Sequence, residues 1–230
     1  AVTAADGKVI LIDEHLADSD AMDYEMDRQD GEWALADYVK KGIDVLDNDT
    51  GFFMMCEGGK IDWACHANDA GATVNDTLAL ADAVQVAIDF AKQHADETLI
   101  LVTGDHETGG LTIGFAGTDY DTYLDSLASQ NISYAQFDEQ YVEKYKENHT
   151  SFEDAMKDVE KLFGLKLSGD QNDRLVLTDY EVQRLRTAYE FAMTDPDVDE
   201  YTQEQYVLYG TYNPFSVTVT HILNNKAGVD

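Results

Sequence analysis

Five side chains in two short segments have the types and the spacing of metal ligands. Glu57, Asp62 and His66 lie in the segment Glu-Gly-Gly-Lys-Ile-Asp-Trp-Ala-Cys-His, and Asp105 and His106 directly follow a Thr-Gly pair. Three carboxylates and two imidazoles are the donor set that a cluster of divalent metal ions requires. An isolated Asp-His pair or a lone glutamate usually has a structural role, so each motif alone is weak. Together, the two segments predict metal binding.

The spacing within each segment indicates how the ligands are shared among ions. Asp62 and His66 are four residues apart, which directs both side chains the same way on a helical turn, and a carboxylate with an imidazole suits zinc. Asp105 and His106 are adjacent, and a glycine-rich turn at a strand end allows both to face one ion. Glu57 is a lone carboxylate, better matched to magnesium, which takes few protein ligands and keeps several waters.

The apolar segments before these residues predict the strands that position them. Residues 52–56 and 99–102 are continuous apolar runs without alternation, typical of strands covered on both faces of a parallel sheet. Cys56 is predicted to be buried in the first of them. Residues 8–12 can form a further short strand. In open parallel sheets, ligands bind beyond the carboxyl ends of the strands, which is where the five candidate ligands fall.

Apolar residues at helical spacing predict helices between and around these strands. Helices are expected over residues 32–47, capped by Asp30, and over 77–94, capped by Asn75 or Asp76. A strand, a helix and a strand in this order form a right-handed crossover. The predicted fold class is therefore α/β, a mostly parallel sheet flanked by helices, with a helical insertion.

The predicted domain organisation follows a change in residue pattern near residue 119. Polar helices with aromatic positions begin there, opened by Ser151 and by Thr178, which forms a capping box with Glu181. The expected division is an α/β metal-binding core portion over 1–118, a helical insertion over 119–209 and a returning core helix within 210–230.

Composition excludes several classes of function. The chain has 46 Asp and Glu against 15 Lys and Arg, a net charge of −31, so nucleic acid is a poor partner. Cations or a salty medium would relieve the self-repulsion of such a chain. No apolar segment approaches the roughly 20 residues that span a bilayer. Cys56 and Cys65 are too few for a disulfide framework.

These segments resemble the metal-binding blocks of alkaline phosphatases. Residues 51–70 are similar to the first block of that family, and Val102-Thr-Gly-Asp-His to the second. The resemblance implies that Glu57 binds magnesium, that Asp62 and His66 hold one zinc ion, and that Asp105 and His106 hold the other. It also implies a role for Trp63 behind the zinc ligands, a phosphate monoester substrate and a phosphoserine intermediate. Periplasmic or secreted localisation follows from the same resemblance, which also allows a homodimer.

Two features of the family pattern are missing from this sequence. The family's nucleophilic serine lies in an Asp-Ser-Ala type motif upstream of the first block; Asp18-Ser19-Asp20-Ala21 lacks the flanking strand and helix and is rejected. The family's last zinc histidine lies in a His-Thr-Gly context, and His221 does not match it. The expectation is a carboxyl-side portion of a phosphatase, cut at both ends and inactive alone.

Two other classes of function remain open at this point. A related metal-dependent phosphodiesterase, a phosphomutase or a sulfatase shares the expected fold and metals, and the missing nucleophile would distinguish them. A non-catalytic acidic module that binds cations on its surface is the alternative from a different class, since most of the 46 acidic residues can only be solvated.

Overall fold

This computed structural model describes residues 7–17, 20–108, 110–170 and 172–230, and these residues are largely helical. Asp18 and Ser19 of the rejected serine motif lie outside the described residues. Short 3-10 segments cover Ala116–Thr118, Leu124–Ser129 and Val198–Glu200, and a π-helical turn covers Asp138–Val142. The α-helices are α1 (Leu35–Leu46), α2 (Gly59–His66), α3 (Ala70–Gln93), α4 (Tyr134–Phe137), α5 (Glu143–Asn148), α6 (Phe152–Phe163), α7 (Asp179–Ala192), α8 (Gln203–Tyr209) and α9 (Pro214–Lys226).

The prediction of a mostly parallel sheet is wrong. Among the described residues, strand pairing is limited to two isolated bridges: Ile113 with Val229, antiparallel, and Lys166 with Val176, parallel. Residues 8–12, 52–56 and 99–102 have no regular secondary structure. An apolar run shows that a segment favours burial, but a strand forms only where a second backbone accepts its hydrogen bonds.

The two predicted core strands are also exposed instead of covered. Phe53 is 87% exposed and Leu101 is 81% exposed, and Met55, Leu99 and Val102 are exposed as well. Cys56, predicted to be buried, is exposed too, and neither it nor Cys65 forms a disulfide. Burial on both faces, which the absence of alternation predicted, is therefore not present in either segment.

The chain divides into two compact units. Unit 1 comprises residues 1–62 and 74–107, and unit 2 comprises residues 63–73 and 108–230. The expected division at residues 118 and 209 stays a prediction. In the described part of the chain, no helix is long and apolar enough to cross a membrane.

Unit 2 is built around α9. Pro214 occupies the first turn of α9, and the Asn213 side chain accepts hydrogen bonds from the backbone N–H groups of Phe215 and Ser216, so the helix begins there. Phe215, Val219 and Leu223 have no exposed surface. They pack in one core with apolar residues of α4 to α7. A helix is therefore present within residues 210–230, where one was predicted.

The helices that pack on α9 begin and end at recognisable residues. The Ser151 hydroxyl accepts the N–H of Asp154 at the start of α6, and Gly164 ends that helix with φ +75°. Thr178 and Glu181 form the predicted capping box of α7. Local sequence therefore sets these boundaries, and the apolar face of each helix sets its orientation towards the core.

Unit 1 has a smaller core, between α1 and the part of α3 that belongs to this unit. Val39, Ile43 and Ala83 are buried there, with Met54 and Phe90 partly buried against them. Helix α1 begins at Leu35 after Ala34, so the predicted Asp30 cap is wrong. The predicted caps of α3 are also wrong, because Asn75 and Asp76 lie inside that helix, which begins at Ala70.

Asp138 makes the stability of unit 2 depend on pH. Burial raises the pKa of Asp138 to about 6, against the effect of nearby Lys146. Its Oδ1 is buried, and the Ser216 hydroxyl lowers the pKa only weakly. Because the folded pKa lies above the unfolded value of about 4, protonation contributes stability that is complete below about pH 4 and is lost as the pH rises to about 6.

We expect Asp138→Asn to remove this pH dependence and to stabilise unit 2 at pH 7 by on the order of 1–2 kcal/mol. The measurement is hydrogen exchange of peptides from residues 134–148 at pH 4, 5, 6 and 7, corrected for intrinsic rates, which reports the stability of this part of unit 2 at each pH. Glu139→Gln, an exposed acid in the same turn, is the control and should behave as the parent. A parent protein whose protection is constant across this range contradicts the prediction.

Candidate metal centre

Helix α2 carries the first group of predicted ligands. It begins at Gly59, with Asp62 in its first turn, and ends at His66. The predicted helical turn from Asp62 to His66 is therefore present. The side chain of Asp62 is partly exposed, and that of His66 is exposed.

The imidazole of His106 has a defined orientation. Its Nδ1 lies 3.0 Å from the backbone carbonyl oxygen of Glu107. A carbonyl only accepts hydrogen bonds, so Nδ1 donates the proton, and the lone pair of the neutral ring is on Nε2. Metal-binding histidines are commonly held this way, with one ring nitrogen donating to a carbonyl and the other facing the ion.

Nε2 of His106 faces two carboxylates. It lies 4.0 Å from Oδ1 of Asp62 and 3.9 Å from Oδ2 of Asp105. The other oxygen of Asp105 accepts the backbone N–H of His106 at 3.0 Å, which bends the carboxylate back towards the ring. Adjacent residues of an extended chain point to opposite sides, so this turn is what brings Asp105 and His106 together.

The electrostatics of the site favour a positive charge at His106. The hydrogen bond to the Glu107 carbonyl, followed by the charge of Asp105 and then that of Asp62, raises the pKa of the imidazole above its ordinary value. The side chains are accessible to solvent: His106 is 60% exposed, Asp62 36% and Asp105 90%. A cation can therefore reach the donors without any part of the fold opening.

The structure brings together part of the predicted site. Carboxylate oxygens of Asp62 and Asp105 each lie within 4.0 Å of Nε2 of His106, and all three residues belong to unit 1. Within the described ranges, no three His, Cys, Asp or Glu side chains form a group that could hold a metal ion. Glu57 is exposed and Trp63 partly exposed. The five-residue metal site stays a prediction.

Two features near the site were not predicted. The carbonyl of Glu107 orients the ring of His106, and a backbone acceptor has no signal in the sequence. Asp69 caps α3: its Oδ1 accepts the N–H of Ala72 at 2.9 Å. The run of small residues after Asp69, Ala-Gly-Ala, is compatible with a helix start and could have suggested this cap. The apolar periodicity instead favoured a helix start further along the chain.

The comparisons with known proteins identify the family. A profile of the family described as alkaline phosphatase matches residues 15–171, more than half of the chain. The chain is 42% identical over 93 residues to alkaline phosphatase 4 of Bacillus subtilis, which is 40% of this chain and 20% of that protein. It is 40% identical over 80 residues to the alkaline phosphatase of Escherichia coli, 34% of this chain and 17% of that protein. The chain belongs to the alkaline phosphatase family.

A solved structure has a similar fold. The cold-active alkaline phosphatase from a psychrophilic Shewanella species matches with a TM-score of 0.67 and 23% sequence identity, over 91% of this chain and 43% of that one. The matched part of this chain spans about a fifth of the length of the curated relatives. Family membership, the expectation drawn from the two motif blocks, is therefore confirmed.

The charge arrangement around His106 gives the first prediction for the site. In metal-free protein, Asp105→Asn lowers the pKa of His106, and Asp62→Asn lowers it by less, because each change removes one of the two negative charges that favour the imidazolium. Histidine NMR titration measures both values. Asp89→Asn, whose carboxylate pairs with Lys92 on α3, is the matched control. An unchanged pKa in both site variants contradicts the arrangement.

Proposed function

We propose that this chain carries metal ligands of a phosphate monoester hydrolase that uses two zinc ions and one magnesium ion. The observation that carries the proposal is the ring of His106, whose Nε2 is turned towards the carboxylates of Asp62 and Asp105 at 4.0 and 3.9 Å. Family membership supports the reaction class. The metals, the substrate and the secreted or periplasmic location rest on the resemblance of the motif blocks.

The proposed ligand assignment follows the motif positions. Asp62 and His66 hold one zinc ion, Asp105 and His106 the other, and Glu57 holds magnesium, with Trp63 behind the zinc ligands. The donor chemistry fits these ions, since zinc binds imidazole nitrogen and carboxylate oxygen, while magnesium prefers oxygen. The fit is clearest at His106, where the Glu107 carbonyl leaves Nε2 as the free ring donor.

When bound, a pair of zinc ions in such a site supplies Lewis acidity towards a phosphoryl oxygen and charge stabilisation for the leaving oxygen. The residues of this chain place the donors. The carbonyl of Glu107 holds the tautomer of His106, and the backbone N–H of His106 holds one oxygen of Asp105. These two bonds orient the carboxylate and the imidazole of neighbouring residues, which would serve as donors to one ion.

Zinc binding tests the ligand assignment directly. We expect the parent chain to bind zinc, and Asp62→Asn and His106→Ala each to weaken binding by more than about 10-fold, because loss of an outer-shell partner alone costs that much. Isothermal titration against a competing chelator measures the affinities. His149→Ala, which removes an exposed histidine at the end of α5, is the control. Weak, diffuse calcium binding without a zinc site would favour the acidic cation-binding module instead.

Hydrolysis of p-nitrophenyl phosphate tests what this chain does alone. We expect the 230-residue chain, loaded with zinc and magnesium, to show little or no turnover, because it contains no match to the family's nucleophilic serine motif or last zinc histidine. A full-length member of the family, assayed at equal metal saturation, is the reference. Turnover by this chain at a rate close to the reference would contradict the expectation.

A further inference from the structure

The carboxylate of Asp69 is buried without any exposed surface and lies three residues after the proposed ligand His66. Oδ1 accepts hydrogen bonds from the backbone N–H of Ala72 at 2.9 Å and from the side-chain amide of Gln130 at 2.8 Å. Oδ2 accepts the backbone N–H of Tyr134 at 2.9 Å. All of these residues belong to unit 2. Asp69 therefore joins the start of α3 to the segment 130–134.

The turn between α2 and α3 is fixed by further bonds at the same place. The N–H of Asn68 donates to the carbonyl of Cys65 at 3.0 Å, and that of Asp69 to Ala64 at 3.0 Å. The Asn224 amide of α9 donates to the carbonyl of Asn68 at 2.6 Å. Asn68 has φ +52°, an unusual backbone conformation that these bonds hold in place.

This set of bonds surrounds the end of α2 that carries His66. The hydroxyl of Thr73 donates to the carbonyl of Asp69 at 2.8 Å and lies 3.6 Å from Sγ of Cys65, the residue before His66. The backbone on both sides of His66 is therefore anchored, while its side chain is exposed. A ligand must be held in place before the ion arrives if it is to bind tightly.

We propose that Asp69 is a positioning residue for His66: its buried carboxylate locks the α2–α3 turn and so holds the imidazole in place for zinc. This inference rests on the proposed function, because it takes His66 as a ligand. It assigns no metal contact to Asp69, which acts through the backbone of the turn.

Both carboxylate oxygens of Asp69 accept hydrogen bonds, which makes asparagine an informative replacement. Asparagine has nearly the same size, but one of its two terminal atoms is an NH₂ donor. In either amide orientation, that donor faces a backbone N–H, that of Ala72 or that of Tyr134, which leaves two donors opposed. Asp69→Asn thus releases the turn with little change in volume.

A double-mutant cycle separates positioning from general stability. We expect Asp69→Asn to lower zinc affinity by about 10-fold in the parent background and to have no further effect in the His66→Ala background, where there is no imidazole to position. Affinities are measured by chelator competition on folded protein, as verified by circular dichroism. Equal losses in both backgrounds, or no loss in the parent background, overturn the proposal.

Three further measurements complete the test. Thr178→Ala removes the cap of α7 in the same unit and should leave zinc affinity unchanged. If Asp69→Asn does not fold, Gln130→Met removes the side-chain donor to Asp69, together with its bond to the Ile132 carbonyl, but keeps both backbone donors to the carboxylate. It should give a smaller loss of zinc affinity with the same dependence on His66. In metal-free protein, Asp69→Asn should speed hydrogen exchange in residues 63–73. Unchanged exchange would contradict the proposal that Asp69 holds the α2–α3 turn in place.

The outcomes distinguish this inference from the proposed function on which it rests. A parent chain that binds no zinc, or whose zinc affinity is unchanged by His66→Ala, contradicts the ligand assignment and the positioning role with it. If His66→Ala lowers the zinc affinity but Asp69→Asn does not, the positioning role alone is contradicted.

Discussion

The turn between α2 and α3, which follows the candidate ligands on α2, depends on the hydrogen bonds of one buried carboxylate, that of Asp69. Removing a carboxylate from water costs several kcal/mol, and that burial raises the pKa of Asp69. The three donors from Ala72, Gln130 and Tyr134 offset the cost, since a hydrogen bond to a charged group contributes about 1.5–3 kcal/mol. Because the donors come from two distant segments, neither the start of α3 nor the 130–134 segment can move without exposing the charge.

Helix boundaries could be predicted where the signals are local. Ser151 and Thr178 cap α6 and α7, and both caps lie within three residues of the N–H group that they accept. The start of α3 is an exception: its cap bond, from the N–H of Ala72 to Asp69, is also local, but the apolar periodicity favoured a start further along the chain. The strands at 52–56 and 99–102 were misassigned because the sequence of a segment does not specify which backbone pairs with it. The burial predicted from their apolar side chains is also wrong, since Phe53 and Leu101 are largely exposed.

The sequence predicted which residues form the candidate site, and that five-residue assignment stays a prediction. Motif spacing selected Asp62, Asp105 and His106, and the structure places an oxygen of each carboxylate within 4.0 Å of Nε2 of the histidine. They do not meet at the ends of parallel strands, because neither preceding segment forms a strand. A turn brings Asp105 and His106 together: the Asp105 carboxylate accepts the N–H of His106, and the carbonyl of Glu107 orients the ring.

On the proposed assignment, the same carboxylates would set a competition at His106 between a proton and a metal ion. The hydrogen bond to the Glu107 carbonyl and the charges of Asp105 and Asp62 raise the pKa of the imidazole, and a divalent cation at Nε2 would gain from the two carboxylates in the same way. In a chain with a net charge of −31, a cation also relieves repulsion between the two acids. If the proposed ligand assignment holds, zinc would have to displace the proton that these acids retain, and its affinity would depend on how rigidly the turn and α2 present their donors, more than on the number of acidic residues nearby.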